Sequence, residues 1–171
     1  ACALVPFRVA VLATLLSPSI GREALPLLSL PMVAGLGALL LLLRRPAEPA
    51  TASGPGNPLR LSSALQLAAG FQVVLFAVDA ARAAFGSQGL LASSFLAGLL
   101  DVDALIYSMY KLGPGTTGPF LAARALAVGV LANTLLKFAL AVVLGAGPFR
   151  KLAGAGLVAL ALASLAGLAL Y

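Results

Sequence analysis

From Leu25 to Leu43 the chain runs without a charged residue, and from Leu152 to Tyr171 it does so again. Apolar runs of that length are either the inside of a large soluble core or segments that cross a bilayer. Composition decides between the two. Of 171 residues, 61% are apolar and only 9% are charged, whereas a soluble domain carries about 25% charged residues. So few charges cannot cover a water-facing surface. The high hydrophobicity also excludes a disordered chain.

The apolar sequence divides into six expected spans: Leu4–Leu16, Leu25–Leu43, Leu61–Phe85, Leu90–Tyr110, Phe120–Leu144 and Leu152–Tyr171. A hydrocarbon core of ~30 Å needs about 20 helical residues, which the first span lacks. That span starts at Ala1, already in apolar sequence, and is read as a cut or processed start. A signal peptide is disfavoured there because Arg8 lies inside the run and no basic segment precedes it.

Pro and Gly punctuate the connections at Ser17–Gly21, Gly113–Pro119 and Gly145–Pro148, which are turn and helix-stop signals. Short links between long helices imply antiparallel neighbours. The longer Arg44–Pro58 segment, rich in Pro, Ala, Gly and Ser, is expected to be a flexible loop outside the bilayer. A membrane β-barrel would alternate polar and apolar residues in runs of about ten, and Leu39–Leu43 and Ala159–Ala163 do not. The expected fold is an all-α polytopic transmembrane helix bundle with about six membrane-embedded helices. It forms a single domain over 1–171 that could be the C-terminal part of a longer protein. Gly35, Gly37, Gly98, Gly129, Gly154, Gly156 and Gly167 fall within the spans, where small residues let helices approach closely.

Six alternating crossings place Arg44, Arg45, Arg60, Lys111 and Arg124 on one side with both termini, and Arg22, Arg82, Arg150 and Lys151 on the other. This gives only a weak positive-inside bias. The net charge of +6 fits anchoring to anionic lipid. Because the basic residues are scattered among the spans, a nucleic-acid surface is excluded.

Cys2 is the single cysteine and there is no histidine. That removes internal disulfides, thiolate clusters, imidazole zinc sites and histidine-based triads. No nucleophile elbow, phosphate-binding loop or dinucleotide fingerprint is present. The chain is not expected to be an enzyme.

What remains is polar chemistry at membrane depth, where charges are costly and face the bundle interior or water. Asp101-Val102-Asp103 lies midway along the fourth span, with Gly98, Ser93 and Ser94 before it and Ser108 after it. Two aspartates two positions apart point about 200° from each other on a regular helix. Either they serve different partners, or the helix unwinds near Val102 and offers carbonyls beside the carboxylates, as cation sites in transporters do. A solvated turn between two half-length helices is the alternative. Asn133, Thr134 and Lys137 form a second group on the fifth span, with Asn133 and Lys137 sharing a face. Lys137 needs a counter-charge, and Asp101 or Asp103 is the nearest in sequence. In the third span Gln66, Gln72 and Asp79 are accompanied by Arg82, and Asp79–Arg82 reads as a local ion pair. Arg8 either snorkels or pairs with Asp79.

Asn57-Pro58 opening a helix, Gly98-Leu99-Leu100-Asp101-Val102-Asp103-Ala104, and Ala132-Asn133-Thr134-Leu135-Leu136-Lys137 together resemble the domain of unknown function 4010. This integral-membrane domain commonly follows an MgtC/SapB-type membrane domain. The resemblance covers the chain from Arg8 to the last span. It implies an all-helical, multi-pass protein of the bacterial inner membrane, and by association points to magnesium or other metal homeostasis.

Three functional readings follow. The first is a transporter or channel for a small cation, a divalent metal among the candidates. Its polar cluster comprises Asp101, Asp103, Ser108, Asn133, Thr134 and Lys137. Asp101 and Asp103 are its metal ligands, a hard-oxygen set suited to magnesium, calcium or manganese. Lys137 is its built-in competitor for the carboxylates. The second is a non-transporting partner or regulatory subunit of an MgtC-like system, and the third an intramembrane enzyme. No cofactor is expected beyond a bound metal cation such as magnesium. The expected partners are the lipid bilayer and either further copies of the chain or an upstream MgtC-like domain.

Overall fold

The computed structural model describes residues 2–44, 65, 72, 90–116, 118–145 and 147–171. A 3-10 turn at Cys2–Leu4 leads into six α-helices: α1 (Val5–Leu16), α2 (Pro18–Leu43), α3 (Leu90–Leu100), α4 (Val102–Thr116), α5 (Pro119–Leu144) and α6 (Gly147–Leu170). No strand occurs among the described residues, so the all-α class holds.

Three segments are long and apolar enough to cross a membrane: Pro18–Leu41, Pro119–Leu144 and Arg150–Leu170. With 24, 26 and 21 residues they extend ~36, ~39 and ~32 Å at a rise of ~1.5 Å per residue. The 12 residues of α1, the 11 of α3 and the 15 of α4 reach only ~16 to ~22 Å, short of the ~30 Å hydrocarbon core. Three helices of crossing length, not six, are therefore present among the described residues. The third expected span, Leu61–Phe85, lies outside them apart from Leu65 and Gln72. So does the Arg44–Pro58 connection beyond Arg44.

The links are shorter than the Pro and Gly signals predict. Ser17 alone separates α1 from α2, in extended conformation with φ −147°. Pro18 opens α2 at its first position, where a missing N–H costs nothing. Pro26 and Pro31 continue inside the same helix, as transmembrane helices tolerate where neighbours compensate. Pro31 has no N–H to give the Leu27 carbonyl. Gly167 of α6 lies against that carbonyl, so that a Cβ there would collide with it. Likewise α4 runs through Gly113 and Pro114 to Thr116, and α6 begins at Gly147, which takes φ +58°.

At the centre is α5. Ala122, Ala123, Ala125, Leu126, Val130 and Ala132 are fully or almost fully buried, with Val9, Leu27, Leu28, Leu105, Ile106 and Met109 packed around them. Large apolar side chains point outward instead: Leu15, Val33, Leu41, Val143 and Leu170 are all exposed. Such a surface suits lipid, where helices associate through small residues and close packing instead of expulsion of water.

Antiparallel packing of α2 on α6 brings Leu27 to Gly167 at one end and Leu41 to a shared groove with Leu152 at the other. Arg124, near the start of α5, donates to the Leu168 carbonyl at 3.4 Å and sits 5.7 Å from the Phe120 ring centroid. Lys111 lies 5.5 Å from the Tyr107 ring, beside Tyr110, which meets Leu16, Ser17 and Ile20 in a small crevice. Arg22, Lys111 and Arg124 thus share one end of the bundle, while Arg44, Arg150 and Lys151 share the other. The alternation of six crossings placed Arg22 opposite Lys111 and Arg124. That count is corrected, because Leu90–Tyr110 is not one straight crossing.

Candidate functional site

Asp101 interrupts the helix one residue before Val102. Its N–H donates to the Ala97 carbonyl at 2.8 Å and its own carbonyl accepts from the Leu105 N–H at 3.2 Å. One residue thus ends α3 and begins α4. The side chain explains why the break falls here: Asp101 Oδ1 accepts the Asp103 N–H at 2.8 Å, satisfying a donor of the first turn of α4. A carboxylate is among the best groups at that position, and it also meets the positive end of the helix dipole.

The two arms of the bend converge on α5. A Cβ on Gly98 of α3 would collide with the Gly129 backbone, and a Cβ on Gly129 would collide with Leu105 of α4. Between these contacts, Asp101 and Asp103 reach a cavity that Asn133 and Lys137 also line, one and two turns beyond Gly129 on α5. The chain therefore bends back at Asp101, with the aspartates at the apex.

This cavity has a volume of 150 Å³ and lies among α1, the bend and α5, with Val5 and Val9 as its apolar wall. Its polar lining is Arg8, Asp101, Asp103, Asn133 and Lys137. The Arg8 guanidinium forms an ion pair with Asp103 Oδ2. Formally, two cations face two carboxylates. The pair stays open to its surroundings, with the Arg8 and Asp103 side chains 62% and 42% exposed. Two larger grooves, of 380 and 430 Å³, are walled by apolar side chains of α2 with α6 and of α1 with α2.

Of the residues singled out in the sequence, Asp101, Asp103, Asn133 and Lys137 line this one cavity. Ser108 and Thr134 do not. Thr134 is buried and its hydroxyl donates to the Val130 carbonyl at 2.8 Å. Ser108 Oγ donates to the Ala104 carbonyl at 2.8 Å. Both follow the usual way a hydroxyl satisfies itself in an apolar helix. The expected pairing of Lys137 with an aspartate is corrected: among the described residues the ion pair is Arg8 with Asp103. The guanidinium reaches it from the first turn of α1, a helix that packs beside α4. Arg8 was expected to snorkel or pair with Asp79. Asp79, like Gln66 and Arg82, lies outside the described residues.

The arrangement offers hard oxygen donors, two carboxylates and one amide, beside two cationic side chains. No group of three or more His, Cys, Asp and Glu side chains forms among the described residues. A cation held here would therefore rest on two carboxylates and neutral oxygens.

Comparison with known proteins sets the chain in context. An uncharacterized protein of Aquifex aeolicus (strain VF5) is 29% identical over 90 residues, which cover 52% of this chain and 39% of that relative. The chain thus spans well under half of that relative's length. No solved structure matches the chain. Residues 1–145, from the first helix to the end of α5, match the family described as Domain of unknown function (DUF4010). The chain belongs to that family.

Proposed function

We propose that this protein is a non-enzymatic, multi-pass membrane transporter or channel for a small cation, acting through the cavity at the α3–α4 bend. The observation that carries the reading is the bend itself. It spends the regular hydrogen bonding of a helix to present Asp101 and Asp103 beside Asn133 and Lys137 within an otherwise apolar bundle. Charges at membrane depth are costly to insert, and broken helices of this kind form ion sites in transporters. The bacterial inner membrane is the proposed location. Asp101 and Asp103 are the proposed ligands of the cation, a metal such as magnesium among the candidates.

The test is flux in proteoliposomes with a panel of monovalent and divalent cations, comparing wild type with Asp101→Asn and Asp103→Asn. Loss of flux in variants that still fold supports the reading, and absence of flux in the wild type for every cation defeats it.

One observation favours a second reading. Asp103 is already paired with Arg8, and such a pair can hold helices together without any solute. On that reading the chain is a partner or regulatory subunit of an MgtC-like system, or assembles with its own copies. Co-purification with an MgtC-like domain, in a chain that conducts nothing, is its expected result.

A further inference from the structure

We infer that Arg8 is an exchangeable occupant of the cation site, displaced one for one by a cation of single positive charge. The inference rests on the reading of this cavity as a cation pathway and names the substrate's charge class and the residue that competes with it. Arg8 and Lys137 face Asp101 and Asp103, so the cavity is formally neutral with Arg8 in place. Withdrawal of Arg8 leaves one net negative charge. A monovalent cation restores neutrality, whereas a divalent one overshoots by a full positive charge. That excess repels the bound ion at close range, although the partial exposure of Arg8 and Asp103 screens it.

Geometry identifies which charge moves. Asp103 sits in the first turn of α4, where its N–H is held by Asp101 Oδ1, and its backbone is fixed by the bend. Lys137 and Asn133 belong to α5, the central helix. Arg8 reaches in from the short helix α1 on a long flexible stem, and its side chain is 62% exposed, so it can leave with little loss of packing. A lysine beside the carboxylates was the built-in competitor suggested by the sequence. The ion pair gives that role to Arg8.

The experiment uses detergent-solubilised protein and follows its melting temperature as choline is replaced by Na⁺ or K⁺ at constant ionic strength. A cation that binds the folded state raises the melting temperature. In Arg8→Gln the rise should saturate at a concentration about two- to sixfold lower than in wild type, since the fraction of open sites sets the apparent affinity and an exposed ion pair closes the site only weakly. The rise should vanish in Arg8→Gln/Asp103→Asn, and Mg²⁺ should saturate at no lower concentration than Na⁺ or K⁺. Arg8→Met, which keeps the apolar stem, serves the same comparison if Arg8→Gln does not fold.

The inference is overturned if the variants without Arg8 respond no more readily than wild type. It also falls if the response survives loss of Asp103, or if Mg²⁺ is preferred. Flux is measured separately. A cation response with no flux in any variant defeats the transport reading and leaves the exchange standing. Flux without the Arg8-dependent response defeats the exchange alone.

Discussion

Arg8 and Asp103 join the first turn of α1 to the first turn of α4, 95 positions apart in the chain, through an ion pair that opens onto the polar cavity. Ordering two side chains offsets much of what an exposed pair gains, and double-mutant cycles on such pairs give ~0.2–1 kcal/mol. With both side chains substantially exposed, the Arg8→Gln, Asp103→Asn cycle in detergent should give a coupling of no more than about 1 kcal/mol. A markedly larger coupling, measured by chemical denaturation, would mean that the pair is sealed in the native protein and cannot serve as a movable gate.

Gly98 and Gly129 set the distance between α3 and α5. Adding one methyl at Gly98 meets backbone, which cannot rotate aside. Gly98→Ala should therefore destabilise the protein by ~1–3 kcal/mol, the usual cost of overpacking. At Gly37 and Gly156 nothing lies within 4 Å of an added Cβ. There the same change should be neutral or stabilising by up to ~1 kcal/mol through helix propensity. Melting temperatures of the three variants measure this difference, and a Gly98→Ala protein as stable as the other two would contradict it.

The helical character and the long helices at Leu25–Leu43, Phe120–Leu144 and Leu152–Tyr171 were legible because uncharged or nearly uncharged apolar runs of that length have few alternatives. A break near Val102 was legible because Asp101 and Asp103 cannot share a face of a regular helix; its form, two half-length helices meeting at an exposed Asp101, is the solvated turn that the sequence offered only as the alternative. The first residues of α2 were not, because Pro18 reads as a break in sequence yet occupies the one helical position that suits it. The partner of Arg8 was beyond the reach of spacing rules, since it depends on how α1 lies against α4. The shared end of Arg22, Lys111 and Arg124 was missed for a related reason. Counting Leu90–Tyr110 as one crossing reverses every assignment on one side of it.

Arg124 holds the last turn of α6 by donating to the Leu168 carbonyl, one of the carbonyls that a helix end leaves unpaired. Its guanidinium also lies over the Phe120 ring. Arg124→Ala should weaken that end by about 0.5–1.5 kcal/mol. Faster amide exchange confined to the C-terminal turn of α6 is the expected signature. Unchanged exchange there would mean that the 3.4 Å contact contributes nothing in the membrane.

Asp101 has two roles that substitution can separate. As the residue between α3 and α4 it accepts the Asp103 N–H through Oδ1. As a cavity-lining carboxylate it contributes one of the two negative charges that face Arg8 and Lys137. Asparagine keeps an oxygen at the capping position and is as good a cap as aspartate, whereas alanine forfeits the cap at a cost of typically ~1 kcal/mol. Asp101→Asn should therefore melt close to wild type and Asp101→Ala several degrees lower. If the charge is what the cavity needs, both variants should lose cation flux to the same extent despite that difference in stability. If the residue matters only as a helix cap, flux should follow stability, preserved in Asp101→Asn and reduced in Asp101→Ala. Measuring melting temperature and flux on the same two preparations distinguishes the cases, and retention of full flux in Asp101→Asn would remove Asp101 from the cation pathway.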